Sequence, residues 1–136
     1  MIQQKYTLIT GASEGLGKAF ALECARRGHN LVLVALPGKE LDNLRKLICE
    51  NYRVKVFIIP QDLSAENSAA TIYQQLLDQD IMVDILINNA GIGNTGLFTE
   101  EQTIFFEKQI RINVLATTTL THCLLPMLKQ SSQAHI

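Results

Sequence analysis

The run Thr10-Gly11-Ala12-Ser13-Glu14-Gly15-Leu16-Gly17 has the residue types and spacing to hold a phosphate. It separates an apolar stretch that reads as a strand, Tyr6-Thr7-Leu8-Ile9, from one that reads as a helix, Lys18-Ala19-Phe20-Ala21-Leu22. A helix starting there aims free N–H groups and the positive end of its dipole at an anion. Gly11 can take the positive φ of a sharp turn. Gly15 has no Cβ, so a pyrophosphate can approach the backbone, and Gly17 lets the helix lie close to the strand. A glycine turn alone is also compatible with an ordinary loop.

Three other groups stand where they could add chemistry. Asn88-Asn89-Ala90-Gly91 follows a strand-like run, where short amides can satisfy loop backbone groups and Ala and Gly leave room for a ligand. An Asn–Gly turn is the plainer reading. Asp62-Leu63 follows another apolar run; an acceptor there could receive an amino group, or simply cap a helix or face solvent. Asn113, in Arg111-Ile112-Asn113-Val114, is a weak helix former inside a helical stretch, which is most often a surface position.

Strands and helices must alternate to bring these groups together. Strands are expected at 6–10, 30–35, 54–59 and 83–88, and helices at 15–27, 39–51, 65–79 (Ser64 as N-cap) and 100–130. Gly28 suits the end of the first helix, and Leu41, Leu44, Leu47 and Ile48 form one stripe on the second. Leu31-Val32-Leu33-Val34 is apolar throughout, as a strand buried on both faces requires. Ala134-His135-Ile136 could begin a fifth strand. The order predicts one α/β domain over 1–136, a Rossmann-like parallel sheet of order 3-2-1-4 flanked by helices on both faces. The ligand would then lie above the carboxyl ends of strands one and four, where the strand order reverses.

Composition narrows the function classes. The 136 residues are 47% apolar with a net charge of −1, which suits a globular core and gives no electrostatic case for nucleic acid. No apolar run reaches membrane-helix length, and Met1-Ile2-Gln3-Gln4-Lys5 does not open a signal peptide. The cysteines, Cys24, Cys49 and Cys123, are odd in number and lack metal-ligand spacing, as do His29, His122 and His135. A cytoplasmic protein with reduced thiols and no metal is expected.

The spacing Thr-Gly-x-x-x-Gly-x-Gly, followed by Asn-Asn-Ala-Gly, resembles the short-chain dehydrogenase/reductase family. The resemblance covers the whole chain but only about the first half of a family member. It implies a dinucleotide cofactor held by Gly11, Ser13, Glu14, Gly15, Leu16 and Gly17 of the turn, by Asp62 and Leu63 at the adenine ring, and by Asn89, Ala90 and Gly91. It also implies that Asn113 belongs to a catalytic tetrad of Asn, Ser, Tyr and Lys, where it loosens its helix and holds a water in a proton relay. No Tyr-x-x-x-Lys exists here: Thr10, Val56 and Leu77 stand four residues after Tyr6, Tyr52 and Tyr73. The chain is therefore expected to be the cofactor half of an NAD(P)-dependent oxidoreductase, inactive alone. A non-catalytic nucleotide-binding module and a structural remnant are the alternatives, and an S-adenosylmethionine site is a rival for any glycine-turn α/β domain.

The segment after strand two, Val34-Ala35-Leu36-Pro37-Gly38-Lys39, carries neither an Asp for ribose hydroxyls nor an Arg for a 2′-phosphate. Glu14 would repel that phosphate and Lys39 could partly compensate, so of NAD and NADP the balance leans to NAD. A sheet ending at strand four leaves an edge and bare apolar faces, which predicts a homo-oligomer through the fourth helix or that edge.

Overall fold

The computed structural model describes residues 4–136; the first three residues of the N-terminal segment read above lie outside them. Four parallel strands, β1 (Lys5–Thr10), β2 (Asn30–Ala35), β3 (Val56–Pro60) and β4 (Met82–Ile87), form one sheet in the order β3-β2-β1-β4, as expected. Helices α1 (Gly15–Arg26) and α2 (Lys39–Asn51) follow β1 and β2, and α3 (Ser68–Asp78) follows β3. After β4 come a short 3₁₀ turn (Phe98–Glu100), α4 (Thr103–Ile110), a π-helical stretch (Arg111–Ala116) and α5 (Thr117–Leu128).

Side-chain alternation on the strands divides the core in two. Leu8, Val32, Val34 and Leu86 point to one face and pack with Ile72 and Leu76 of α3 and Leu120 and Leu124 of α5. Ile9, Leu31 and Leu33 point to the other, against Ala21 and Ala25 of α1 and Leu41, Leu44 and Ile48 of α2. The inward residues of α1 are small (Gly17, Ala21, Ala25), so this helix lies close to the sheet. Each face therefore holds two helices, α3 and α5 on one and α1 and α2 on the other, and the strand ends are left open between the layers.

Three boundaries differ from expectation. Ser64 is not a helix cap: its N–H and hydroxyl both bond the Asp62 carboxylate, and α3 begins only after Asn67, in left-handed backbone at φ 57°. The expected single helix over 100–130 is a 3₁₀ turn, then α4, a π-helical stretch and α5. The free edge of β4 is bridged at one point, where Leu86 N–H donates to the His135 carbonyl (3.0 Å) and His135 N–H to the Asp84 carbonyl (3.0 Å). Among the described residues no helix is long and apolar enough to cross a membrane.

Candidate functional site

The glycine turn sits where β1 meets α1. Gly11 has φ +62°, and a Cβ there would come within 2.9 Å of the Ala90 Cα. Gly17 is tighter: a Cβ would lie 2.0 Å from the Gly11 carbonyl oxygen and 2.6 Å from the Asn89 amide nitrogen. The smallness of Gly17 thus serves the seam between the helix and the turn rather than helix-to-strand contact alone. A Cβ on Gly15 would meet nothing within 4 Å, so its surroundings are open to a ligand. Glu14 occupies the N-cap of α1 but makes no side-chain capping bond, and the first turn carries no acidic residue. The first N–H groups of α1 therefore have no side-chain acceptor, and the donor set fits a phosphate.

β4 delivers the second part. Asn89 Nδ2 donates to the carbonyls of Thr10 (3.0 Å) and Gly11 (3.1 Å). In return the Thr10 hydroxyl oxygen accepts from Asn89 N–H (3.1 Å) and Ala90 N–H (3.0 Å). Thr10 is buried, so these bonds are little weakened by water. They join two loops 79 residues apart in the chain. Asn88 Nδ2 donates to the Thr121 hydroxyl of α5 (3.0 Å), which anchors the same loop to the opposite helix layer.

β3 delivers Asp62 and Leu63. The Ser64 hydroxyl (2.6 Å) and backbone N–H (2.9 Å) donate to Asp62 Oδ1. These bonds, the hydroxyl first, hold the carboxyl below the ordinary range, with a smaller contribution from the Lys108 ammonium. Asp62 is thus held as a carboxylate, with Oδ2 left as an acceptor.

Asn113 is the third residue of the π-helical stretch. Its Oδ1 accepts from Ile92 N–H (2.8 Å) and its Nδ2 donates to the Ile92 carbonyl (2.8 Å). One amide thereby satisfies both backbone groups of a residue in the loop after β4. π-Helical turns inside α-helices often mark functional positions, and here the wider turn coincides with the helix loosening implied for Asn113.

These pieces border a cleft of about 310 Å³ above the strand ends. Of the residues expected to hold a cofactor, Gly11, Ser13, Glu14, Asp62, Leu63, Asn89, Ala90 and Gly91 line it. Gly15, Leu16 and Gly17 stand just outside its walls on the first turn of α1, and Asn113 acts on it from behind through Ile92. Ala35 and Leu36, in the segment weighed for cofactor preference, also line it, whereas the sequence reading missed Gln61, Ile92, Lys108 and Ile112. Lys108 and Ile112 share one helical face four residues apart, a signal that periodicity could have supplied. Lys39, weighed as a compensating charge, is not part of the cleft wall.

Residues 5–136 match the family described as short chain dehydrogenase. The chain belongs to that family. The mouse protein named "Dehydrogenase/reductase SDR family member 7" is 31% identical over 131 residues, covering 94% of this chain and 39% of that protein. Among solved structures, the bulky-bulky ketone specific alcohol dehydrogenase of Comamonas testosteroni superposes with a TM-score of 0.86 at 32% identity, over 97% of this chain and 53% of that one. A short-chain dehydrogenase of Sphingobium yanoikuyae, in complex with NADPH, gives 0.84 at 36% identity, over 96% and 50%. This short-chain dehydrogenase chain spans about two fifths of the mouse relative and about half of the two solved chains.

Proposed function

We propose that the chain is the dinucleotide-binding half of an NAD(P)-dependent oxidoreductase, a single partial domain. The observation that carries this reading is the uncapped start of α1, clamped through Thr10 and Asn89 to the loop after β4. Backbone N–H groups at Gly15, Leu16 and Gly17 would take the pyrophosphate, with Gly11, Ser13 and Glu14 around it. Asp62 and Leu63 would take the adenine, and Asn89, Ala90 and Gly91 would floor the site. When bound, the cofactor supplies hydride transfer to or from a carbonyl or alcohol carbon. Titrating the purified chain with NADH and NADPH, followed by nicotinamide fluorescence, tests the reading: saturable binding supports it, and no binding at millimolar cofactor refutes it.

Glu14 and the uncharged Ala35-Leu36 pair disfavour a 2′-phosphate and support NAD; the Sphingobium structure with NADPH argues for the other cofactor. Glu14→Arg should shift the NADP:NAD affinity ratio upward by about tenfold, the value of removing one repulsion and adding one attraction near a phosphate. An unchanged ratio would sink the role given to Glu14.

A second reading, a binding module without chemistry, is favoured by one observation: none of the tyrosines has a lysine four residues on, the positive neighbour that a phenol needs to act near neutral pH. Alone the chain should show no alcohol or ketone turnover above background. We further expect a cytoplasmic, oligomeric protein. Its cysteines are unpaired, and Ile104, Ile110, Val114 and Leu115 along the α4–α5 helix are more than half exposed. A clean monomer in light scattering would count against the oligomer.

A further inference from the structure

The cleft has three ionisable groups on its walls: Glu14, Asp62 and Lys108. Two carboxylates facing an anionic dinucleotide are unfavourable unless a cation offsets them. Lys108 is the cation present. It lies on the last turn of α4, one turn before the wall residue Ile112, with an exposed side chain free to reach across the opening. Its charge is felt at Asp62, where it helps keep the carboxyl ionised. Asp62 has one oxygen engaged by Ser64.

A carboxylate and an ammonium that line one cleft offer a ligand both an acceptor and a donor. Adenine presents the complement: an exocyclic amino group that donates, flanked by ring nitrogens that accept. We propose that Lys108 is an adenine-recognising residue, donating to a ring nitrogen beside the amino group that Asp62 accepts. This rests on the cofactor reading above and extends it to a residue on the opposite wall. Lys108 also offsets the charge of Glu14 and Asp62, but its hydrogen bond is to adenine alone, so its removal weakens the adenosine half more than the nicotinamide half.

The test measures calorimetric affinities of the full chain for ADP-ribose, nicotinamide mononucleotide and NADH, in wild type, Lys108→Met, Lys108→Arg and, as a control for remote charge, Lys129→Met. Lys129 is exposed and outside the cleft. Lys108→Met should weaken ADP-ribose and NADH by about 10- to 100-fold, the range of one charge-assisted hydrogen bond. Mononucleotide affinity should move less than twofold, Lys108→Arg should recover most of the loss, and Lys129→Met should match wild type. The effect should shrink but persist at 0.5 M salt, because a direct hydrogen bond survives screening and a distant field does not. If wild type binds and Lys108→Met binds ADP-ribose within twofold of it, or loses both half-ligands equally, this inference fails while the cofactor reading stands. If wild type binds neither NADH nor ADP-ribose, both fall together.

Discussion

Gly17→Ala separates two effects of opposite sign. Alanine in a helix gains about 1 kcal/mol over glycine from backbone entropy. At this position the added Cβ would lie 2.0 Å from the Gly11 carbonyl oxygen, against ordinary contact beginning near 3.4 Å, a shortfall of about 1.4 Å. The opposing atom is backbone, and a second contact at 2.6 Å is the Asn89 amide nitrogen, which is already committed to Thr10 and Gly11. Neither neighbour can turn aside, so α1 must move away from the turn. Overpacking of this kind costs about 3 kcal/mol, and the lost Asn89 bonds about 1 kcal/mol each. Net destabilisation of about 4 kcal/mol follows, to be read from urea unfolding followed by far-ultraviolet dichroism. Gly15→Ala is the matched control: a Cβ there meets nothing, and only its φ of +54° costs about 1 kcal/mol. The control should keep most of the stability yet lose dinucleotide affinity, since the methyl enters the space left for the ligand. A Gly17→Ala protein as stable as wild type, or less perturbed than Gly15→Ala, would refute the seam between helix and turn.

Other perturbations probe the remaining contacts. Thr10→Val keeps the shape but removes the acceptor for Asn89 and Ala90 N–H, and should cost about 2–3 kcal/mol in urea unfolding, while Thr10→Ser should cost less than about 1 kcal/mol. Asn113→Ala frees the Ile92 N–H and leaves its carbonyl only the longer bond from Gln109 (3.3 Å); amide exchange at residues 91–93 should accelerate about tenfold with little change in global stability. The Glu23 carboxyl is pushed down to about 2 by hydrogen bonds from Arg26 and Arg27. Because its folded value is depressed, its stabilising contribution is full above the unfolded carboxyl range and fades as pH falls from about 4.5 to 2. Carbon-detected NMR titration should find that low midpoint, and Arg26→Ala should raise it.

The strands and first two helices were legible because each carries one dominant signal. Leu31-Val32-Leu33-Val34 reads as buried on both faces, and Leu41, Leu44 and Ile48 repeat at helical spacing and are buried against the sheet, while Leu47 of the same expected stripe lies at its edge and is exposed. α3 was misplaced because Ser64 has the chemistry of a cap, but the Asp62 carboxylate two residues earlier captures its N–H and hydroxyl first. The interruption in the last helix was half legible: Asn113 marked an anomaly, but the Ile92 backbone that its amide holds is 21 residues distant. Lys108 escaped notice because an exposed lysine on a helix is ordinary until the opposite wall is known. At α3 one local bond outcompeted another, whereas at Asn113 and Lys108 a tertiary neighbour decided.

The bonds that shape the cleft also explain why it can exist before a ligand arrives. From Gly17 the contact path runs to the Gly11 carbonyl, to the Asn89 amide that bonds it, along the loop to Ile92, and across to Asn113 in the π-helical stretch. Its polar links are backbone groups held by the short amides of Asn89 and Asn113, so little freedom remains to be lost on binding. At the mouth of α1, by contrast, the N-cap Glu14 makes no side-chain capping bond and Gly15 faces open space. The rigidity thus surrounds a set of donors that the protein itself does not satisfy, and an anion is the partner that such a set selects.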